Sequence, residues 1–227
     1  MNMRTVLALM TAAAFGTAAW PAFARCEDAP GPKLDWSGCS KHQLMVRGSR
    51  LAGARFERAE LTNIDFSASD LTGASFALAE FNRVSFRDAR LTKANFEKAF
   101  AIRTNFSGTQ LEGSNFEKAE IQRSNLSGAL MHGANLSMGD FGRSNFQGAD
   151  LTGSRLRSSN LGRANFSGAR LAGADFTRAF TFATRFEGTD LSQVVGLTQE
   201  QVDAACGDAK TRLPAGLKPS TAWPCKE

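Results

Sequence analysis

Residues 91–116 read LTKANFEKAFAIRTNFSGTQLEGSNF. Leu91, Phe96, Phe106, Leu111 and Phe116 fall on a step of five, and only Ala101 interrupts it with a small side chain. Followed outward, the same step runs from Leu51 to Leu191. Of its 29 positions, 13 are Phe, 12 are Leu, two are Ile121 and Met131, and Ala101 and Thr181 are the exceptions. An α-helix repeats its face about every 3.6 residues and a flat strand every second residue. A strict five matches neither. It describes a backbone that turns a corner every five residues and points one large side chain inward on each side.

Two residues before most of the large apolar centres stands a small residue, and the residue one before is usually polar. Ala94-Asn95-Phe96, Ala134-Asn135-Leu136, Ala164-Asn165-Phe166 and Ala174-Asp175-Phe176 show the unit. The small residue and the centre are expected inside, the other three in water. With these residues the chain resembles the pentapeptide-repeat family over about residues 46–195. The resemblance implies an all-β fold, a right-handed quadrilateral β-helix with four units per coil. Features recurring every twenty residues agree with it: Phe66, Phe86, Phe106, Phe146, Phe166 and Phe186 form one column, interrupted by Leu126, and Leu71, Leu91, Leu111, Leu151, Leu171 and Leu191 another, interrupted by Met131. Glycines occupy two of the four corners, as at Gly108, Gly128 and Gly148 and at Gly113, Gly133 and Gly153. That distribution predicts two turn types, of which one needs positive φ. At the strand spacing of about 4.8 Å, seven coils make a rod roughly 35 Å long. Stacked Phe and Leu fill its interior, so function belongs on the outside or at the ends.

The flanks divide the chain further. Residues 1–24 read as a signal peptide: a short positive start, an Ala-rich apolar run and the small-x-small site Ala22-Phe23-Ala24. Export to a periplasmic or extracellular space follows, with no membrane insertion of the mature chain. Residues 25–50 read as an N-terminal cap with Trp36 at a centre, 51–195 as the β-helix, and 196–227 as a short C-terminal helix and tail. Thr198-Gln199-Glu200-Gln201 carries a capping-box pattern, Gly207 is expected to end the helix, and Trp223 and Cys225 to pin the tail. Four cysteines allow three pairings. If the repeat is a rod, only Cys26–Cys39 and Cys206–Cys225 lie within disulfide reach, each stabilising by about 3 kcal/mol in the entropic account.

Outward features are fewer. Arg83, Arg103, Arg123, Arg143 and Arg163 are spaced by twenty and form a candidate binding ladder on one corner. Glu80, Glu120 and Asp140 precede three of them by three residues, which predicts partial neutralisation. Phe100 and Ile102 flank Ala101, and Phe180 and Phe182 flank Thr181. These four are candidate apolar contacts, either protruding or turned inward by a bulge, with the tail expected over Phe180 and Phe182. Asn105, Asn125, Asn145 and Asn165 form a column expected to hydrogen-bond along the axis.

The chemistry of catalysis is missing from the sequence. There is no Tyr, no catalytic-looking His–acid pair, no phosphate-cradling glycine loop and no metal cluster, so no catalytic, cofactor-binding or metal residue is assigned. Some members of the resembled family are DNA mimics that bind topoisomerases. That role needs an acidic face, whereas this chain carries a formal charge of +5 and has Arg50, Arg55, Arg90, Arg155, Arg170 and Arg185 where a mimic wants acids. No nucleic-acid partner is expected either. The expected function is that of an exported, non-enzymatic rod presenting its faces to a protein, with an anionic envelope polymer on the arginine ladder as the alternative and a second copy of the chain as a further partner.

Overall fold

Each five-residue unit forms one side of a coil, and four sides close it. In the computed structural model, which describes residues 26–225, residue n pairs in parallel with residue n+20, as in Asp35 with Arg55, Asn95 with Asn115 and Asn145 with Asn165. The expected signal peptide lies outside the described residues. On one side the pairing is continuous enough to form strands: β1 (Ser40–His42), β2 (Glu60–Thr62), β3 (Glu80–Asn82) and β4 (Phe100–Ile102), a parallel sheet in the order β1-β2-β3-β4. The remaining coils continue that side with isolated bridges. The result is a right-handed quadrilateral β-helix with one short helix, α1 (Gln199–Ala204).

The interior is as the step of five requires. Every centre from Leu51 to Leu191 is buried, and from Ala54 on the residues two before the centres are buried with them. Phe56, Phe76, Phe96 and Phe116 stack face to face at centroid distances of 4.7, 4.9 and 4.6 Å. The neighbouring column of Phe66, Phe86 and Phe106 meets them edge-on, as Phe86 meets Phe96 at 6.0 Å and 87°. The edge-to-face contacts are the arrangement the ring quadrupole favours, and the parallel columns add buried ring area. At the small position, serine or threonine often replaces alanine and donates its hydroxyl to a carbonyl of the coil below, as Ser144 does to Ile121 at 2.6 Å. Ser114 and Ser154 are buried without a partner for their hydroxyls. The other positions of that column from Ala54 to Ala174 are alanine. Ser114→Ala and Ser154→Ala are expected to stabilise the protein by about 1 kcal/mol each, because a buried unpaired hydroxyl is removed; denaturant titration checks it.

The corners correct one expectation. Positive φ is not confined to the glycine corners: the second residue after each centre is left-handed at all four, at Leu78 (φ 60°), Arg83 (φ 56°) and Lys93 (φ 58°) as much as at Gly108 (φ 65°). A left-handed non-glycine residue costs about 1–2 kcal/mol. The fold carries that cost many times because the inter-coil hydrogen bonds fix each corner, as in Gly53 N–H to Thr72 O at 2.8 Å. Where an Asn or Asp precedes the centre, its side-chain oxygen accepts the N–H two residues on, as Asn95 does from Glu97 at 3.0 Å, which favours the turn. Leu78→Gly should therefore raise stability by about 0.5–1 kcal/mol, visible as a rise in Tm.

Both ends are closed. At the N-terminus Lys41 holds a centre position, with its amine 4.5 Å from the Trp36 ring centroid and donating to the Cys26 carbonyl. The Cys26–Cys39 disulfide, Cα–Cα 5.5 Å, ties this end together. At the C-terminus α1 lies across the last coil. Its capping box is formed, Gln201 donates to Phe176 O and Ala179 O at 3.0 and 2.7 Å, and Thr181 donates to Gln201 O at 2.8 Å. Gly207 does not end the helix; Ala205 is the cap residue. Gly207 instead makes room for the indole of Trp223, 2.5 Å from where a Cβ would stand. Trp223 donates to Ala205 O at 2.7 Å, beside the Cys206–Cys225 disulfide with its Cα–Cα of 5.4 Å.

Candidate interaction face

The side of the rod that carries β1–β4 is the one that departs from a plain polar surface. Its middle row runs Glu60, Glu80, Phe100, Glu120, Asp140, Asn160, Phe180. The next outward row runs Thr62, Asn82, Ile102, Gln122, Gly142, Gly162, Phe182, and the corner beside it carries Arg83, Arg103, Arg123, Arg143 and Arg163. The ladder is thus assembled by register alone, and all five arginines are exposed with φ between 53° and 59°.

The expected partial neutralisation is not made. Glu80, Glu120 and Asp140 share coils with Arg83, Arg123 and Arg143, but they rise from the middle row while the arginines leave from the corner. Among the described residues the ion pairs join other basic residues, such as Arg55 with Asp35 at 3.5 Å, Arg170 with Asp150 at 3.3 Å and Arg157 with Asp175 at 3.5 Å; none includes the ladder. Asp140 is engaged elsewhere: Gln122 and Asn160 donate to it at 2.9 and 3.0 Å, and the Gly142 N–H at 2.9 Å. Asp150 shows the contrast. Burial raises its carboxyl pKa, but hydrogen bonds from Thr152, with His132 and Arg170 beside it, outweigh burial and hold the carboxyl below the usual range.

Ala101 and Thr181 keep the inward register, so there is no bulge. Phe100 and Ile102 protrude, 41% and 36% exposed. Phe180 and Phe182 protrude further, 57% and 51% exposed, because the tail turns away to pack Trp223 and leaves them uncovered. Their rings lie 6.3 Å apart at 23° and form a platform. Two depressions open between the middle row and the ladder. One, about 480 Å³, is bordered by Glu80, Arg83, Phe100, Ile102 and Arg103. The other, about 350 Å³, is bordered by Arg123, Asp140, Arg143, Arg163, Phe180 and Phe182, with Gly142 and Gly162 in its floor. Those two glycines escaped the sequence reading. Their signal is a spacing of twenty in a row that elsewhere carries side chains. The asparagine column at 105–165 does less than expected along the axis. Asn145 donates to Asn125 at only 3.5 Å, while the better ladder is Asn135 to Asn115 and Asn115 to Asn95, both 3.1 Å.

The exposed arginines and aromatics lie on the outside of a solid rod built from five-residue units, and the comparisons agree on the repeat. The pentapeptide repeat region model matches residues 46–116, and the pentapeptide repeats model matches 109–148 and 144–180. The chain belongs to the pentapeptide-repeat family. It is similar to the crystal structure of HetL, a pentapeptide repeat protein involved in heterocyst differentiation regulation in the cyanobacterium Nostoc, at 22% identity over 82% of this chain and 91% of that one, with a TM-score of 0.48. It is also similar to QnrB1, a plasmid-mediated fluoroquinolone resistance protein, at 20% identity over 80% and 91%, TM-score 0.48. A third is a pentapeptide repeat protein of the Arabidopsis thaliana thylakoid lumen, at 24% over 61% and 81%, TM-score 0.28. A comparison with curated proteins found no match.

Proposed function

We propose that this is an exported, non-enzymatic interaction protein that holds a protein partner on the face between the Phe/Ile rungs and the arginine ladder. The observation that carries the reading is that, among the described residues, none of the five ladder arginines makes an ion pair, and they stand beside exposed aromatics. Protein interfaces are enriched in arginine and aromatic residues, and energetic hot spots more so. Export is supported by the signal-like residues 1–24 and by two disulfides, which persist in oxidising compartments.

Capture from the native envelope with the oxidised protein tests it. Wild type is expected to retain a protein that the triple variant Arg103→Glu, Arg123→Glu, Arg143→Glu loses by tenfold or more, since reversing rim charges changes like-charge contacts by at least about 1.4 kcal/mol in total. Retention unchanged by the swap would remove this face from the function. Loss of retention on an anionic glycan matrix, with protein capture intact, would transfer the ladder to an envelope polymer.

A further inference from the structure

We infer that the second depression, between Arg123, Arg143 and Arg163 and the Phe180–Phe182 platform, docks an extended acidic segment of the partner with an apolar residue at its end. This deepens the interaction reading and rests on it. The two depressions share a face but not a charge. The first has Glu60 and Glu80 among its borders against Arg83 and Arg103, and so is balanced. The second has three arginines against Asp140 alone. Both carboxylate oxygens of Asp140 already accept hydrogen bonds from the face itself.

The shape points the same way. Gly142 and Gly162 remove two side chains from the floor, and the Phe180 ring lies over Gly162, 3.1 Å from where its Cβ would stand. The trough is lined by Arg123, Arg143 and Arg163 on the corner side and by the rings of Phe180 and Phe182 towards the C-terminus. Side chains of an extended peptide alternate between two sides. Carboxylates on one side would meet the ladder, while the other side passes Asn160 and reaches the platform. A uniformly charged polymer fits less well, because its charges would also press on Asp140 and on Glu120, one coil earlier in the middle row.

Fluorescence anisotropy of the full oxidised chain tests this with three labelled probes: a peptide alternating glutamate and valine with a terminal phenylalanine, hexaglutamate, and trigalacturonate. The alternating peptide should bind saturably and at least tenfold more tightly than the other two. Arg143→Glu and the pair Phe180→Ala, Phe182→Ala should each weaken it about tenfold, as hot-spot truncations do. These side chains are exposed, so the variants should unfold like wild type. Equal binding of trigalacturonate, or a peptide affinity indifferent to the phenylalanine pair, overturns the proposal. No peptide binding also overturns it; if envelope capture remains sensitive to the arginine swap, the interaction reading still stands.

Discussion

Replacing Phe96 by alanine is expected to destabilise the rod by about 4 kcal/mol, within the range seen for buried phenylalanines. Phe96 is fully buried. It stacks between Phe76 at 4.9 Å and Phe116 at 4.6 Å, and meets Phe86 and Phe106 edge-on at 6.0 and 5.6 Å. The cost depends on how well the hole can close. Here it cannot, because the coil spacing is set by backbone hydrogen bonds such as Phe76 N–H to Asn95 O at 2.7 Å and Phe96 N–H to Asn115 O at 2.6 Å. Phe180→Ala is the control: an exposed ring should change stability by about 0.5 kcal/mol or less. Guanidinium unfolding compares the two, and a loss below about 1 kcal/mol for Phe96→Ala would mean that the aromatic column does not bear the core's stability.

The second large effect runs against the repeat's own consensus. Alanine is the common residue two before a centre, so Gly139→Ala reads as an improvement. The structure predicts a loss of about 2–3 kcal/mol from overpacking. A Cβ at Gly139 would stand 2.6 Å from Cε2 of Phe141 and 3.1 Å from the Ala119 carbonyl oxygen. That carbonyl is fixed by the Asp140 N–H at 2.8 Å. Phe141 is fully buried and held edge-on by Phe116 and Phe146 at 6.3 and 5.8 Å. Ala79 precedes Phe81 with both buried, so the conflict belongs to the pose of the Phe141 ring and not to the residue pair. Phe141→Leu in the Gly139→Ala background should recover part of the loss, a coupling expected of residues in contact. Equal melting temperatures for wild type and Gly139→Ala would refute the clash.

The architecture was legible because a period of five leaves few alternatives, and the twenty-residue columns then placed Arg83 to Arg163 on one corner and the Phe/Ile rungs on one side. Two things were not legible. The left-handed corners at residues such as Leu78 and Lys93 follow from the closure of the coil, and local propensity points away from them. The second was which charges meet. Glu120 and Arg123 are three apart in sequence, yet one leaves the middle of a side and the other its corner, and that geometry exists only once the side is built. The fate of the tail belongs to the same class: Trp223 had two apolar targets, the platform and the space at Gly207, and composition alone does not choose between them.

The register of the coils carries a further consequence for how such a chain can change in length. Its inside counts in fives, and its outside counts in twenties. An insertion of five residues would leave every centre buried but rotate all later sides by a quarter revolution, carrying Arg143, Arg163 and the Phe180–Phe182 platform round to another flank. Duplication of a whole coil would lengthen the trough and preserve its chemistry. Growth and shrinkage by entire turns is thus the neutral route for this molecule, and any partner that spans several arginines acts as a ruler on it.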